Sequence, residues 1–390
     1  MAFTSLCADV SYEMVLAVLP GFAAAIGMAA SALGWIEGAA DALASFVKLG
    51  AGWYSDRVGR RKPIVTIGYV LSGTALSAIA AAAAWPLILA ARLVAWFGKG
   101  IRGPLRDAML SDSAAPESRG KVFGLHRAGD TTGAVLGPLL GVWLLSVLPR
   151  PSPPAPYRSI FLISLIPGLL AVASLVVLVR ERPRAPNPEL RFWGSMRGLP
   201  RSFLRLLRGV GVFGLGDFSH TLLVLAAARL LAPAHGDARA AQIAALLYAI
   251  HNGAYAAAAF PVGALADRME KRTLLAAGYT MGAATGFAVA ACFAASVTSL
   301  PLLALLFAWA GVYLGFEKPL EAALTADLVP RESRGAAYGL LGSVNGVGDL
   351  VASGLVGMLW TYVSPEAGFC AAGGLMLCGA GVVLAGPVSR

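Results

Sequence analysis

Charge is scarce in this chain: Asp, Glu, Lys and Arg make up 13% of its 390 residues, against 57% hydrophobic ones. A soluble domain carries about twice that share of charge and could not hide so much apolar surface, so the chain belongs in a bilayer. Cysteine is equally sparse. Cys7, Cys292, Cys370 and Cys378 show neither metal nor redox spacing, which reads as small buried packing residues and excludes a disulfide or Cys-based metal framework. There is no Walker Lys loop, no nucleophile elbow and no polar stretch long enough for a soluble module. An ATP-driven pump, a hydrolase, a cofactor enzyme or a signal-reporting receptor is therefore not expected. The first apolar run begins near Met1 without a basic leader or a small-residue cleavage site, and it already holds Asp9 and Glu13; a cleaved signal peptide is not expected.

What is present is a succession of apolar runs, each near the roughly 20 residues that a spanning helix needs. Turn and charge punctuation places twelve of them near 3–27, 31–54, 63–84, 86–110, 119–147, 157–180, 203–231, 240–265, 273–296, 299–325, 335–362 and 366–386. The expected fold class is an all-α membrane protein of twelve transmembrane helices. The formal charge of +10 would suggest nucleic acid in a soluble protein, but its placement matters more than its sum. Between Arg180 and Arg208 there are eight Arg and two Glu, and the tip after the second run adds Arg57, Arg60, Arg61 and Lys62. The turns on the other side are nearly bare, apart from Arg150 and Arg158. By the positive-inside rule the basic loops and both termini face the cytoplasm of a bacterial inner membrane. The expected partners are lipid, protons and a small solute, with no nucleic acid and a monomer as the default.

The tip Gly52-Trp53-Tyr54-Ser55-Asp56-Arg57-Val58-Gly59-Arg60-Arg61-Lys62 returns 211 positions later as Gly263-Ala264-Leu265-Ala266-Asp267-Arg268-Met269-Glu270-Lys271-Arg272. At an offset of 215, Gly100-Ile101-Arg102-Gly103-Pro104-Leu105-Arg106-Asp107 aligns with Gly315-Phe316-Glu317-Lys318-Pro319-Leu320-Glu321-Ala322, and Glu117-Ser118-Arg119-Gly120 with Glu332-Ser333-Arg334-Gly335. Such register indicates a tandem duplication: a first six-helix bundle at 1–181, a basic cytoplasmic linker at 182–202 and a second bundle at 203–390. Duplicated membrane bundles usually move a solute by rocking one half against the other. The copies diverge in charge, because Arg102 and Arg106 correspond to Glu317 and Glu321, and Asp130 to Asn345.

The Gly-x-x-x-Asp-Arg-x-Gly-Arg-Arg-Lys tip, the Pro-Glu-Ser-Arg-Gly turn and the six-plus-six arrangement together resemble the major facilitator superfamily over the whole chain. That resemblance implies gating by Gly52, Asp56, Arg57, Gly59, Arg60 and Arg61 with Arg106, and by Asp267 and Arg268 in the second copy. Asp56 would latch the closed cytoplasmic side against a basic residue of the fourth span and the amino-terminal dipole of the eleventh. The second tip departs from the pattern by having Glu270 where Gly59 stands. Gly133, Gly137 and Gly141 form a small-residue stripe that lets another helix approach closely; with Pro138 they also resemble the antiporter motif of exporters in the superfamily, which implies export.

Charged side chains inside a bilayer cost a few kcal/mol each, so they face the bundle interior or a wet cavity. Counting along each helix brings Glu13, Asp41, Asp130, Asp217, His220, His251 and Asn252 near mid-depth, with His126 and Arg127 about a turn away. Asp9 with Glu13, and Glu37 with Asp41, are i,i+4 carboxylate pairs on one helix face, and mutual repulsion makes one member of such a pair a proton acceptor. His126 stands at i,i+4 to Asp130, and imidazole titrates near neutrality. Glu13, Asp41, Asp130, His126, His220 and His251 are thus the expected proton-coupling set. Arg127, Lys99, Arg102, Asp217, Asn252, Asn345 and Glu317 are the expected substrate cavity. Arg92, Lys99, Arg102 and Arg106 make one basic stripe on the fourth span; Lys99 and Arg102 would neutralise Glu13 and Asp41, or else bind an anionic substrate. The leading expectation is a proton-coupled transporter that exports a small organic solute or drug. Proton-coupled uptake and divalent-metal transport are the alternatives, the latter because the same His, Asp and Glu side chains are suitable ligands.

Overall fold

The structure is a computed structural model that describes residues 1–58, 60–113, 119–181, 199–266, 268–329 and 334–385. It is all-helical among the described residues. The helices are α1 (Ala2–Ala25), α2 (Ala30–Val58), α3 (Lys62–Thr74, continued by a 3-10 segment Ala75–Ala81), α4 (Trp85–Ser113), α5 (Arg119–Val147), α6 (Ala155–Ile163), α7 (Leu165–Leu178), α8 (Arg201–Gly214), α9 (His220–His235), α10 (Asp237–Ala266), α11 (Lys271–Ala294), α12 (Leu300–Leu328), α13 (Arg334–Tyr362) and α14 (Pro365–Ala385). Each expected span falls on one of these or on a consecutive pair. Nine helical stretches among the described residues are long and apolar enough to cross a membrane. Charged side chains hold α2 and α4 below that standard, and α8 and α9 are too short, at 14 and 16 residues.

Two expected spans are interrupted. The sixth is interrupted at Ser164, whose carbonyl accepts the Ser11 hydroxyl at 2.7 Å as well as Gly168 N–H at 3.2 Å. The seventh, expected to run unbroken over 203–231, unwinds at 215–219. Glycine makes this break possible: the backbone at Gly216 approaches the Ala372 carbonyl too closely for any Cβ, and glycine gives up helical structure readily. The loose backbone groups are then recaptured. Gly216 N–H bonds to Phe213 O at 2.9 Å, Asp217 N–H to Gly214 O at 3.1 Å, and Ser219 N–H to Ser353 Oγ at 3.0 Å. The Ser219 hydroxyl restarts the helix by accepting Thr221 N–H at 3.3 Å, the usual N-cap device.

The chain forms two compact units. Unit 1 holds Met1–Met28, Leu43–Arg191 and Ala241–Ala249; unit 2 holds Ala29–Ala42, Phe192–Ala240 and Ile250–Arg390. In unit 1, α1 lies along the glycine stripe of α5: a Cβ at Gly133 would meet Leu6 O at 2.7 Å, and one at Gly137 would meet Glu13 Cβ at 2.8 Å. The stripe thus packs helices and sets the α1 carboxylates against α5. Cys7 lies in the buried cluster of α1, α3, α4 and α7 with Val65, Tyr69, Leu105 and Leu175, as a small apolar residue should. Cys370 and Cys378 are exposed on α14 rather than buried; acyl chains are as apolar as a core, so exposure to them carries no hydrophobic penalty.

Candidate functional site

In unit 1 the basic stripe of α4 meets the acidic face of α1. The spacing of Arg92, Trp96, Lys99, Arg102 and Arg106 keeps all five on one side of the helix. Arg92 is wholly buried with its guanidinium 3.5 Å from the Trp96 ring centre. Lys99 Nζ stands 4.3 Å from the Tyr12 ring and 4.7 Å from Trp96, so aromatic faces supply part of the solvation that the cation has lost. Arg102, 3% exposed, reaches Asp9 Oδ1 at 3.9 Å and lies over the Tyr69 ring at 4.4 Å. The expected partner of Arg102 was Glu13 or Asp41. Asp9, one turn before Glu13 on α1, is a carboxylate within 3.9 Å of Arg102, and Glu13 accepts the Tyr248 hydroxyl at 2.7 Å.

Farther along α4, Arg106 donates to Ser5 Oγ at 3.2 Å, pairs with Asp107 at 3.1 Å and stands 3.9 Å from Asp130. Asp130 also lies 3.5 Å from His126 Nε2, so the expected i,i+4 couple forms and an arginine joins it. The side chains of Gly52, Asp56, Arg57 and Arg127, together with the whole of Gly59 and Asp267, lie outside the described residues. Of the remaining gating residues, Arg60 and Arg268 are exposed and Arg61 is buried. Arg61 and Lys62 donate their backbone N–H groups to Glu181, the latter at 3.0 Å. A carboxylate thereby caps the amino terminus of α3, where the helix dipole favours an anion.

Unit 2 holds an acidic counterpart. The unwound segment 215–219 presents Asp217, whose Oδ1 accepts the Tyr313 hydroxyl at 3.1 Å and whose Oδ2 lies 3.7 Å from Lys318 Nζ. On α12, Glu317 is 1% exposed and takes the Lys318 ammonium on Oε1, while its Oε2 is buried without a hydrogen-bond partner. One turn on, both oxygens of Glu321 are engaged, by Tyr279 at 2.6 Å and by Asn345 Nδ2 at 2.7 Å. Phe213 stacks on Tyr279 with ring centres 3.6 Å apart. Asp41, on α2, belongs to this unit. His220 and His251 lie with ring centres 6.2 Å apart, and His251 Nδ1 is 3.2 Å from Asn252 Oδ1.

Sequence reasoning thus named Asp217, Glu317 and Asn345, and it passed over Tyr12, Trp96, Tyr248, Tyr279, Tyr313 and Lys318. Glu321 was legible: it stands at i,i+4 to Glu317, the same spacing that singled out Glu13 and Asp41. The tyrosines carry no such signal, since their partners lie 42 to 235 positions away. Among the described residues, no group of three or more His, Cys, Asp or Glu side chains is arranged to hold a metal ion.

The family model of the Major Facilitator Superfamily matches residues 1–232 and 209–389. The chain belongs to that superfamily. It is a multi-pass membrane transporter and not an enzyme. A relative in Methanocaldococcus jannaschii, described as an uncharacterized MFS-type transporter, is 30% identical over 369 residues, 95% of this chain and 89% of the relative. A multidrug resistance protein B homolog of Mycobacterium tuberculosis is 34% identical over 184 residues, covering 46% of this chain and 32% of that one. Among solved structures, the nucleoside transporter NupG superposes with a TM-score of 0.78 at 14% identity, covering 98% of both chains. A D-xylose-proton symporter gives 0.76 at 16% identity, covering 98% of this chain and 96% of the other. Likeness at these identities speaks for the fold alone.

Proposed function

We propose that this superfamily member is a proton-coupled secondary transporter working by alternating access, and that it exports a small organic solute. The observation that carries the reading is the set of carboxylates kept buried among apolar helices: Asp9 and Glu13 at 7% exposure, Asp217 at 8% and Glu317 at 1%. Such groups are costly in a bilayer and are retained there for ion or substrate pathways. Two tandem bundles, 1–181 and 203–390 joined by the basic linker at 182–202, are the moving parts, with both termini at the cytoplasmic face of the inner membrane. Glu13, Asp41, Asp130, His126, His220 and His251 carry the proton. Lys99, Arg102, Arg127, Asp217, Asn252, Glu317 and Asn345 line the substrate path, and the Asp56 tip with Arg106 and its second copy at Asp267 and Arg268 forms the gate.

Export is favoured by the Gly133, Gly137, Pro138 and Gly141 pattern on α5, and by relatives named multidrug resistance protein that match 46% and 29% of this chain. The divalent-metal alternative draws no support from the described residues, which assemble no metal-binding group. The test is proton flux in sealed proteoliposomes across a panel of organic solutes and drugs. Wild-type protein should acidify or alkalinise the lumen only when its solute is present. Glu13→Gln, Asp41→Asn and Asp130→Asn should each lose that coupling while remaining folded, and wild-type flux from all three would remove these carboxylates from the mechanism. Asp56→Asn should raise cytoplasmic accessibility to a thiol probe, and an unchanged labelling rate would refute the latch.

A further inference from the structure

Two carboxylates in unit 2 share a single cation. Lys318 Nζ contacts Glu317 Oε1 and stands 3.7 Å from Asp217 Oδ2, while the second oxygen of Glu317 is buried and unbonded. Glu321 supplies no donor either, since both its oxygens accept, from Tyr279 and Asn345. A buried acceptor left empty costs about 1–3 kcal/mol, so the site has capacity for a donor it does not now hold. The exposures are also unequal. The Lys318 side chain is 41% exposed, against 10% for Asp217 and 1% for Glu317. The lysine side chain is thus the more exposed member, and the two carboxylates are buried.

We propose that Asp217 and Glu317 bind the ammonium group of an organic amine at the place that the Lys318 ammonium now fills, so that the lysine is a tethered stand-in which the ligand displaces. The present occupant defines the ligand chemistry. An alkylammonium brings three N–H donors: one for Glu317 Oε1, one for the open Oε2, and one for Asp217 Oδ2, with Asp217 Oδ1 held in place by the Tyr313 hydroxyl. The unwound backbone at 215–219 lets Asp217 approach α12 from outside any helix. A divalent cation is a poorer match, since no third carboxylate or imidazole completes a metal group among the described residues. When a ligand binds, Lys318 swings out with its charge, so the site trades one ammonium for another and the buried charge stays constant. This deepens the transporter reading by naming its substrate class, although the binding step itself does not require that reading.

Chemical rescue tests the site. Purified Lys318→Ala protein is melted in n-butylammonium chloride, which replaces the missing stem and head, and at equal ionic strength in sodium chloride and in tetramethylammonium chloride, which has no N–H. Butylammonium alone should raise the melting midpoint, and the wild type should need about tenfold more of it, because its own lysine competes. Adding Asp217→Asn or Glu317→Gln to Lys318→Ala should abolish the response. Equal stabilisation by all three salts, or a response that survives both carboxylate changes, overturns the proposal. If Lys318→Ala is not recovered folded, Lys318→Gln is titrated in the same way. Butylammonium binding without any coupled proton flux would sink the proton-coupling reading and leave the amine site standing; coupled flux with no ammonium response would do the reverse.

Discussion

Helices α4 and α12 occupy duplicated positions in the sequence, yet their buried charges are opposite. On α4, Arg102 and Arg106 are surrounded by Asp9, Asp107 and Asp130. On α12, Glu317 and Glu321 are surrounded by Lys318, Tyr279 and Asn345. The basic side is matched charge against charge with aromatic faces beside it; the acidic side leans on neutral hydroxyl and amide donors and one lysine. Packing alone does not require this inversion, since Arg and Glu at matching positions bury similar stems. The difference teaches that the duplication supplied a common frame on which the copies diverged in electrostatics. Unit 1 acquired a network of acidic and basic side chains, and unit 2 a site in which two carboxylates share one lysine.

The comparison breaks most visibly if the α4 network is opened. Arg102→Ala leaves Asp9 buried beside Glu13 without its guanidinium, which should cost about 3–5 kcal/mol, read as a large drop in thermal midpoint; Asp9→Asn in the same background should recover much of it. On the acidic side the cost should be smaller, because the partners are neutral: Glu321→Gln should lose about 1–3 kcal/mol, and a double-mutant cycle with Tyr279→Phe would assign the share of that bond. The helix frame itself can be probed at Gly137, where a Cβ would stand 2.8 Å from Glu13 Cβ and 2.9 Å from Met14 N. Gly137→Ala should therefore destabilise by about 1–3 kcal/mol through overpacking, with the same change at open Gly253 as a silent control. The smallest effect should come from Lys99→Met, which gives up ring contacts worth about 0.5–2 kcal/mol; a loss above that range would mean Lys99 neutralises Asp9 rather than resting on Tyr12 and Trp96.

Much of this frame was legible in the chain. The spans followed from hydropathy, the His126 and Asp130 couple from i,i+4 spacing, and the basic stripe of α4 from its repeats, because each depends only on the geometry of a single helix. The break at 215–219 was not, although Gly214 and Gly216 hint at it. A glycine-rich stretch unwinds in lipid only where other groups take up its backbone, and Ser353 lies 134 positions away. The pairing of Arg102 with Asp9 likewise turned on how α1 is placed along its axis against α4, because Asp9 and Glu13 share one face, and periodicity leaves that register open.

The amino-acid order alone determined that this chain crosses a bilayer as helices, that it carries an internal repeat, and that the repeated segments differ in charge, since composition, period and register are properties of a line. Only the tertiary structure decided which carboxylates are matched and which share a cation. That outcome depends on helix rotation and side-chain reach between segments far apart in the chain, where a shift of one turn moves a charge by about 5 Å and exchanges an ion pair for a hydroxyl.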